Sequence, residues 1–511
     1  MFIRGKISWG LCVGAFLAAG SLLSAQHEKR VIDFDYVSDE AAEMVESAPR
    51  PRVEKLSKAL KELSYDDYRN IRFRPSEALW WNDPSRFRVE FFHLGHIFHD
   101  PVEIFEYTDS HVQKVPFREE AYNYEQSSYK PGFFNAPDNH AGIRIKYPLN
   151  RKDVYDDLIV FLGASYFRAL GPNQAYGLSL RGLGMNTLGD HEDFPRFTKL
   201  WLKKPKQNDK SLRVLGLLEG EKVTGAYQFD IKCNGITEIE VQARLYFRQG
   251  GAGEVGIAPI TSMFVFGENS AHRFEDWRPE VHDSDGVLVQ TGENDWIWHP
   301  IENLPGRYDK HFPTDSLKGY GLMQRDRDFT HYKDLEANYE KRPSAWITPL
   351  GDWPPGAVVL YTFETNSEAT DNVTLFWKPD LQADSDEPLE LNYKIGLQLK
   401  GPVHPFARVL ETRIGHRTLD PNSRTVLVEF SRPEQITPEE IPMLRAEFSA
   451  DPLEALDPPV VQYNPAEDRI RVFVNLRKPA PEASHQNYEL SAQLFQDDKA
   501  ISEKWSYTWK P

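Results

Sequence analysis

The chain has 511 residues, with 77 acidic against 60 basic side chains and a formal net charge of −17, so nucleic acid and anionic membrane surfaces are poor partners for it. Of its two cysteines, Cys12 lies in an amino-terminal apolar stretch, so a processed chain keeps only Cys233 and forms no internal disulfide. Aromatic residues make up 13 %, with 12 Trp and 22 Tyr, which suits either strand-rich cores or a groove for a neutral, hydroxyl-rich polymer.

In chain order, Met1-Phe-Ile-Arg4-Gly-Lys6, an apolar run over 7–23 and Ser24-Ala25-Gln26 together have the form of a secretory signal peptide, residues 1–25, cleaved after Ala25. Its loss removes Arg4 and Lys6, which leaves 58 of the 60 basic residues against 77 acids, a charge of about −19. The roughly 485 remaining residues call for at least two domains, and no second apolar run is long enough to span a bilayer. Val53, Leu56, Leu60 and Leu63 recur at helical spacing with lysines between them, predicting an amphipathic helix over 52–63.

Strand patterns then take over. Residues 87–93, 158–162, 226–231 and 239–247 are rich in β-branched and aromatic residues, several alternate cleanly, and Gly, Pro and Asn separate them. Few helical patterns intervene, so the expected class is all-β: an antiparallel sandwich over 26–400 rather than a βαβ fold. An acidic, Pro-containing loop spans 381–390 and leads into a strand at 389–399. A break at Gly401-Pro-Val-His-Pro405 precedes strands at 424–430, 444–448, 469–476, 488–495 and 505–509, which predict a second, immunoglobulin-like sandwich over 406–511.

Three motifs have plain structural readings. Gly251-Ala-Gly253-Glu-Val-Gly256 matches the dinucleotide pattern, but Pro259 stands where a helix should begin, so a flexible hairpin turn is expected and no cofactor is called for. His93, His96 and His99 are spaced by three, which on a strand sends successive side chains to opposite faces and argues against a metal site. Asp283-Ser-Asp285-Gly286 lacks the later ligands of a calcium loop and reads as a turn into the strand 287–290.

Two acids have the setting of a catalytic pair. Asp371 sits between strands predicted at 357–364 and 373–377, at a hairpin rim, and Asp283 lies just before another strand, so the sheet fixes both positions. Most Asp residues in turns only cap backbone NH groups, which is the competing reading for each. Trp277, Trp296 and Trp298 surround the first acid in sequence, and Tyr339, Trp346 and Trp377 the second; such rings suit either the core or the CH faces of sugars.

Several segments together resemble the osmoregulated periplasmic glucan biosynthesis proteins G and D (MdoG/OpgG and OpgD). They include Leu162-Gly-Ala-Ser-Tyr-Phe-Arg168, Tyr176-Gly-Leu-Ser-Leu-Arg-Gly182, Arg278-Pro-Glu-Val-His-Asp-Ser-Asp-Gly286, Gly321-Leu-Met-Gln-Arg325 and Arg342-Pro-Ser-Ala-Trp346, in order across the amino-terminal region. The resemblance implies a galactose-mutarotase-like sandwich followed by the smaller domain, in the periplasm. It also implies action on β-1,2-glucan as an inverting glucanase or transglycosylase, with Asp371 as general acid and Asp283 as general base. Tyr339, Trp346, Trp296, Trp298, Trp377, Arg168 and Tyr166 are then the expected sugar contacts. The segment 304–317 looks like a mobile lid and resembles the family least. The rival reading is a glucan-binding partner of the inner-membrane glucosyltransferase without turnover. The open edges of the carboxy-terminal sandwich leave a homodimer among the assemblies to expect.

Overall fold

The computed structural model describes residues 31–49, 56–132, 139–249, 253–270, 275–381, 387–417, 420–479 and 486–510. The signal segment and residues 382–386 of the acidic loop at 381–390 lie outside these residues, as do Val53 and Lys55 of the expected helix. Among the described residues no helix is long and apolar enough to cross a membrane.

The regular secondary structure is nearly all strand, as the alternating patterns predict. Two large sheets face one another. The ten-stranded sheet runs from Arg88–Phe92 through Gly142–Tyr147, Asp156–Leu162, Tyr166–Ala169, Ser179–Arg181, Val255–Ser262, Val373–Pro379 and Gly356–Phe363 to Arg307–Thr314. The other has fifteen strands, with Thr237–Phe247 and Val223–Cys233 among its longest. Their inner faces bury one continuous core in which Phe161 meets Phe229 edge-on at 5.2 Å. Buried tyrosine hydroxyls tie the layers together, Tyr227 donating to the carbonyl of Gly182 at 2.8 Å and Tyr320 to that of Ile257 at 2.8 Å.

The fifteen-stranded sheet does not stop at residue 400. Asp295–Pro300 pairs in parallel with Lys504–Trp509, so the strands Tyr488–Gln496 and Arg445–Ser449 extend the same sheet into the carboxy-terminal unit. A separate four-stranded sheet, Val409–Arg417 with Asp420–Ser431, Arg469–Arg477 and Val460–Asn464, closes over that extension. Alternation along the shared strands divides them between two cores. Val287, Val289, Ala345 and Ile347 face the large sandwich, while Leu288, Trp298 and Trp346 face the carboxy-terminal unit. At the same seam, the wholly buried carboxylate of Glu503 accepts from Arg325 at 2.7 and 2.9 Å, from His404 at 2.8 Å and from the backbone NH of Val409 at 2.8 Å.

Two expectations change in detail, and one helix is added. The helix foreseen at 52–63 is a four-residue turn, Lys58–Lys61, followed by a second short helix, Tyr65–Arg69, capped by Ser64. The long helix is Phe34–Val45, capped by Asp33, and its Phe34, Val37, Ala41 and Met44 pack on Trp201, Leu215 and Leu217 outside the sheet. The strands flanking the glycine-rich segment, Thr237–Phe247 and Val255–Ser262, belong to different sheets and so do not form the hairpin expected there, while Gly251 and Ala252 lie outside the described residues.

Candidate active site

Asp371 stands on the loop between the antiparallel strands Gly356–Phe363 and Val373–Pro379, at the hairpin rim its neighbours predict. The next residue fixes that rim. Asn372, buried, accepts at its side-chain oxygen from the backbone NH of Phe264 at 2.9 Å and donates to the carbonyls of Phe264 and Phe363, each at 3.0 Å. Phe264 in turn is the strand partner of His282, the residue before Asp283. The two acids therefore sit on neighbouring, mutually bonded segments. The backbone NH of Asp283 is itself held by the carbonyl of Met263 at 2.8 Å.

Their environments are opposite. Asp371 is exposed, with Arg168 at 3.8 Å from its carboxylate. Asp283 is only 3 % exposed and is bound by the guanidinium of Arg342. Burial pushes its carboxyl up to about 6, against the pull of Arg342 and with a push from the charge of Asp371. Tyr339 lies beneath Arg342, whose guanidinium carbon is 4.3 Å from the ring centre, and its hydroxyl donates to Glu368 at 2.6 Å. Glu368 also accepts from Arg278 at 2.7 Å, and Arg278 reaches Asp334 at 3.1 Å.

Behind the base, Gln324 donates to the carbonyls of His282 at 2.9 Å and Tyr339 at 3.3 Å, locking the segments that carry Asp283 and Tyr339. His282 and His331 each bond to one oxygen of Glu280, both at 3.0 Å. Burial would push the Glu280 carboxyl up, but the two imidazoles outweigh it and hold it low. Glu280, Asp326 and His331 bring their ligand-type atoms within 4.8 Å of one another, the one such trio among the described residues. Both Glu280 oxygens are already occupied by imidazole donors, so the trio reads as hydrogen-bonded support for the base.

A groove of about 1340 Å³ includes in its lining Arg168, the residue beside Asp371. Its floor is the outer face of Arg88–Phe92, Gly142–Tyr147, Asp156–Leu162 and Tyr166–Ala169, and the short helix Tyr65–Arg69 with Arg72 and Ile97 forms a wall. Tyr166, Tyr176 and Phe194 supply rings, and Arg69, Arg72, Arg144, Lys146 and Arg168 supply donors. Arg168 lies at the mouth, fixed by a 2.7 Å bond to Ser179. Burial and then the charges around it, Asp371 among them, leave the Tyr166 hydroxyl at about 12.

Of the expected site residues, Tyr166 and Arg168 line this groove, Arg168 stands beside Asp371, and Asp283 and Tyr339 meet at Arg342. The structure places the four tryptophans elsewhere. Trp296 and Trp346 stack at 5.7 Å, Trp298 lies under Arg325 at 3.5 Å, and all three pack against the carboxy-terminal unit. Trp377, 1 % exposed, belongs to the core of the large sandwich. None of the four has a ring face open to a sugar, because strand alternation turns each toward packed protein. The segment 304–317 is no free lid either. Its strand Arg307–Thr314 pairs with Gly356–Phe363, and Tyr308 bonds to Thr508 at 2.6 Å while Lys310 pairs with Glu489 in the carboxy-terminal unit.

His93, His96 and His99 do not converge as ligands. His93 bonds to the carbonyl of Leu94 at 2.6 Å and His96 to that of Leu63 at 2.9 Å, around a turn at Gly95 whose φ of +150° suits glycine. No local sequence signal marks Arg342, Glu368 and Asn372 as partners of the acids, although Arg342 opens one of the segments that carry the resemblance.

The profile described as "Periplasmic glucan biosynthesis protein, MdoG" matches residues 32–509. The chain belongs to this family. It is 37 % identical over 488 residues to the Glucans biosynthesis protein G of Ralstonia nicotianae, covering 93 % of this chain and 96 % of that one. It is 36 % identical over 469 residues to the protein of the same name from Sodalis glossinidius, covering 88 % and 87 %. With that of Cereibacter sphaeroides it shares 41 % over 391 residues, or 75 % and 71 % of the two chains. MdoG membership carries a role in periplasmic glucan biosynthesis and makes the periplasm its place.

Proposed function

We propose that the chain cleaves or remodels β-1,2-glucan during periplasmic glucan biosynthesis, by an inverting glycosidase-type mechanism. One observation carries the reading: two carboxylates on bonded neighbouring segments, one exposed beside Arg168 of a polymer-sized groove and one buried with its carboxyl at about 6. Opposite environments give two carboxylates different roles, and it is the family resemblance that assigns Asp371 the acid's part and Asp283 the base's. Asp371 gives its proton to the glycosidic oxygen as the bond to the anomeric carbon breaks. A water attacks that carbon from the opposite face and its proton passes to Asp283, which inverts the centre. In the transglycosylation variant a sugar hydroxyl takes the place of the water.

Because Asp283 is covered and bound by Arg342, its proton arrives through a relay of hydroxyls or waters rather than by direct contact with an open cleft. Tyr339, stacked under the same guanidinium, helps to shape that path. Sugars bind along the groove, with Tyr166 as a stacking face and Arg168 as a donor beside the acid.

Incubation of the protein and its Asp371→Asn variant with linear β-1,2-glucan tests the reading. Shorter or cyclised product from the unmodified protein alone supports it. Glucan binding with no product above the variant leaves the chain a binding partner of the membrane glucosyltransferase instead.

A further inference from the structure

Of the tryptophans in the described residues, only Trp81 and Trp277 are exposed, at 45 % and 69 %. A single exposed ring is ordinary on a protein surface, so exposure alone assigns nothing to Trp277. Its mounting and its place do. Asp276 accepts the backbone NH of Arg278 at 2.9 Å and takes its guanidinium at 3.0 and 2.8 Å, which clamps the backbone on both sides of Trp277. The Arg278 guanidinium carbon lies 5.8 Å from the indole, within cation–π range. Through Glu368, Arg278 joins the network that holds Tyr339 and the loop of Asp371.

Trp277 and the groove approach the acid through different residues. The groove ends at Arg168 and Tyr166, beside the Asp371 carboxylate. Glu368, three residues before Asp371 in the same loop, is not part of its lining and leads to Arg278 and Trp277. A polymer lying in the groove with a glycosidic oxygen at Asp371 has sugars on both sides of that bond, and Trp277, tied through Arg278 and Glu368 to the acid's own loop but outside the groove lining, offers a ring to those the groove does not hold. An exposed indole face takes the CH face of a pyranose, while half-exposed carboxylates such as Glu368 accept its hydroxyls.

Resting on the glucan reading above, we propose that Trp277 is the stacking platform of a sugar subsite beyond Asp371, with Glu368 as its hydroxyl acceptor, and that it sets the length of glucan the protein engages. The test is calorimetric binding of linear β-1,2-gluco-oligosaccharides of increasing length to the full chain, comparing Trp277→Ala, Trp277→Phe and, as a control, Trp81→Ala. Trp277→Ala is expected to weaken binding of long oligosaccharides about tenfold, the size of a lost anchoring ring, and to leave unchanged those short enough to end in the groove. Trp277→Phe restores most of the loss, Trp81→Ala matches the unmodified protein, and the fluorescence shift on glucan binding disappears in Trp277→Ala alone. Tight binding by the unmodified protein with equal affinity for Trp277→Ala at every length overturns this inference and leaves the functional reading standing. No glucan binding by the unmodified protein overturns both.

Discussion

Asn372 grips Phe264. One side-chain amide accepts the backbone NH of Phe264 and donates to its carbonyl, so the loop carrying Asp371 is pinned to the strand that pairs with the segment of Asp283. An acid and a base that must act on one bond need such a fixed relation, since small displacements at a reacting centre cost large factors in rate. Replacement of Asn372 by Ala leaves buried backbone groups unpaired, at about 1–3 kcal/mol each. The expected result is a lower denaturation midpoint and a turnover that falls by more than glucan affinity does. Equal loss of both would make Asn372 a structural residue only.

The pH dependence follows from Asp283. A base works only when deprotonated, and burial holds this carboxyl at about 6. Cleavage should therefore fall as pH drops through about 6, with a slope of one proton, in a profile of kcat/KM. The Arg342 charge pulls the group down, so Arg342→Met moves that limb to higher pH, and the shift of the limb is the diagnostic quantity. A limb that stays in place removes Arg342 from the electrostatics of the base.

Glu503 shows the sign reversed. Burial would push its carboxyl up, but Arg325 and His404 hold it at about 2, below the ordinary 4.5. A folded value lower than the unfolded one gives stability that is present above pH 4.5 and lost as pH falls toward 2, about 3 kcal/mol in all. Glu503→Gln leaves Arg325 without its partner inside the seam and should cost about 3–5 kcal/mol at pH 7. The difference from the unmodified protein narrows below pH 4. Urea titrations at pH 7 and pH 3.5 check both halves.

Trp296 and Trp346 separate scaffold from site. Each is packed between the large sandwich and the carboxy-terminal unit, so truncation to Ala opens a cavity worth about 3–5 kcal/mol. The fifteen-stranded sheet runs through both units, so unfolding remains one cooperative transition at a lower temperature. Glucan affinity per folded molecule is expected to be unchanged. A weakened affinity at full folding would return these rings to the sugar contacts.

Much of this was legible from residue order, because alternation reports strands directly. The strands at 226–231, 239–247 and 469–476 appear where β-branched residues alternate, lengthened by a few positions. Asp371 falls at a hairpin rim because strand patterns flank it on both sides. What alternation cannot report is which neighbour covers each face. Trp346 alternates as a sugar-facing ring would, yet its face of the sheet is covered by strands about 150 residues away. Arg342 and Asp283 meet across 59 positions for the same reason: long-range strand pairing, not local pattern, decides the contact. The helix Phe34–Val45 had a cap and an apolar stripe in plain view, while 52–63 showed the stronger lysine spacing and, in its described part, keeps only the single turn Lys58–Lys61.

The central claim is that Asp371 and Asp283 break a β-1,2 bond with inversion. The most direct measurement follows linear β-1,2-glucan by proton NMR from the first minutes after adding the protein, with Asp371→Asn in parallel. New reducing ends that appear first as the α-anomer, and only with the unmodified protein, are the predicted result. First product in the β-anomer, or no new ends above the variant, contradicts it.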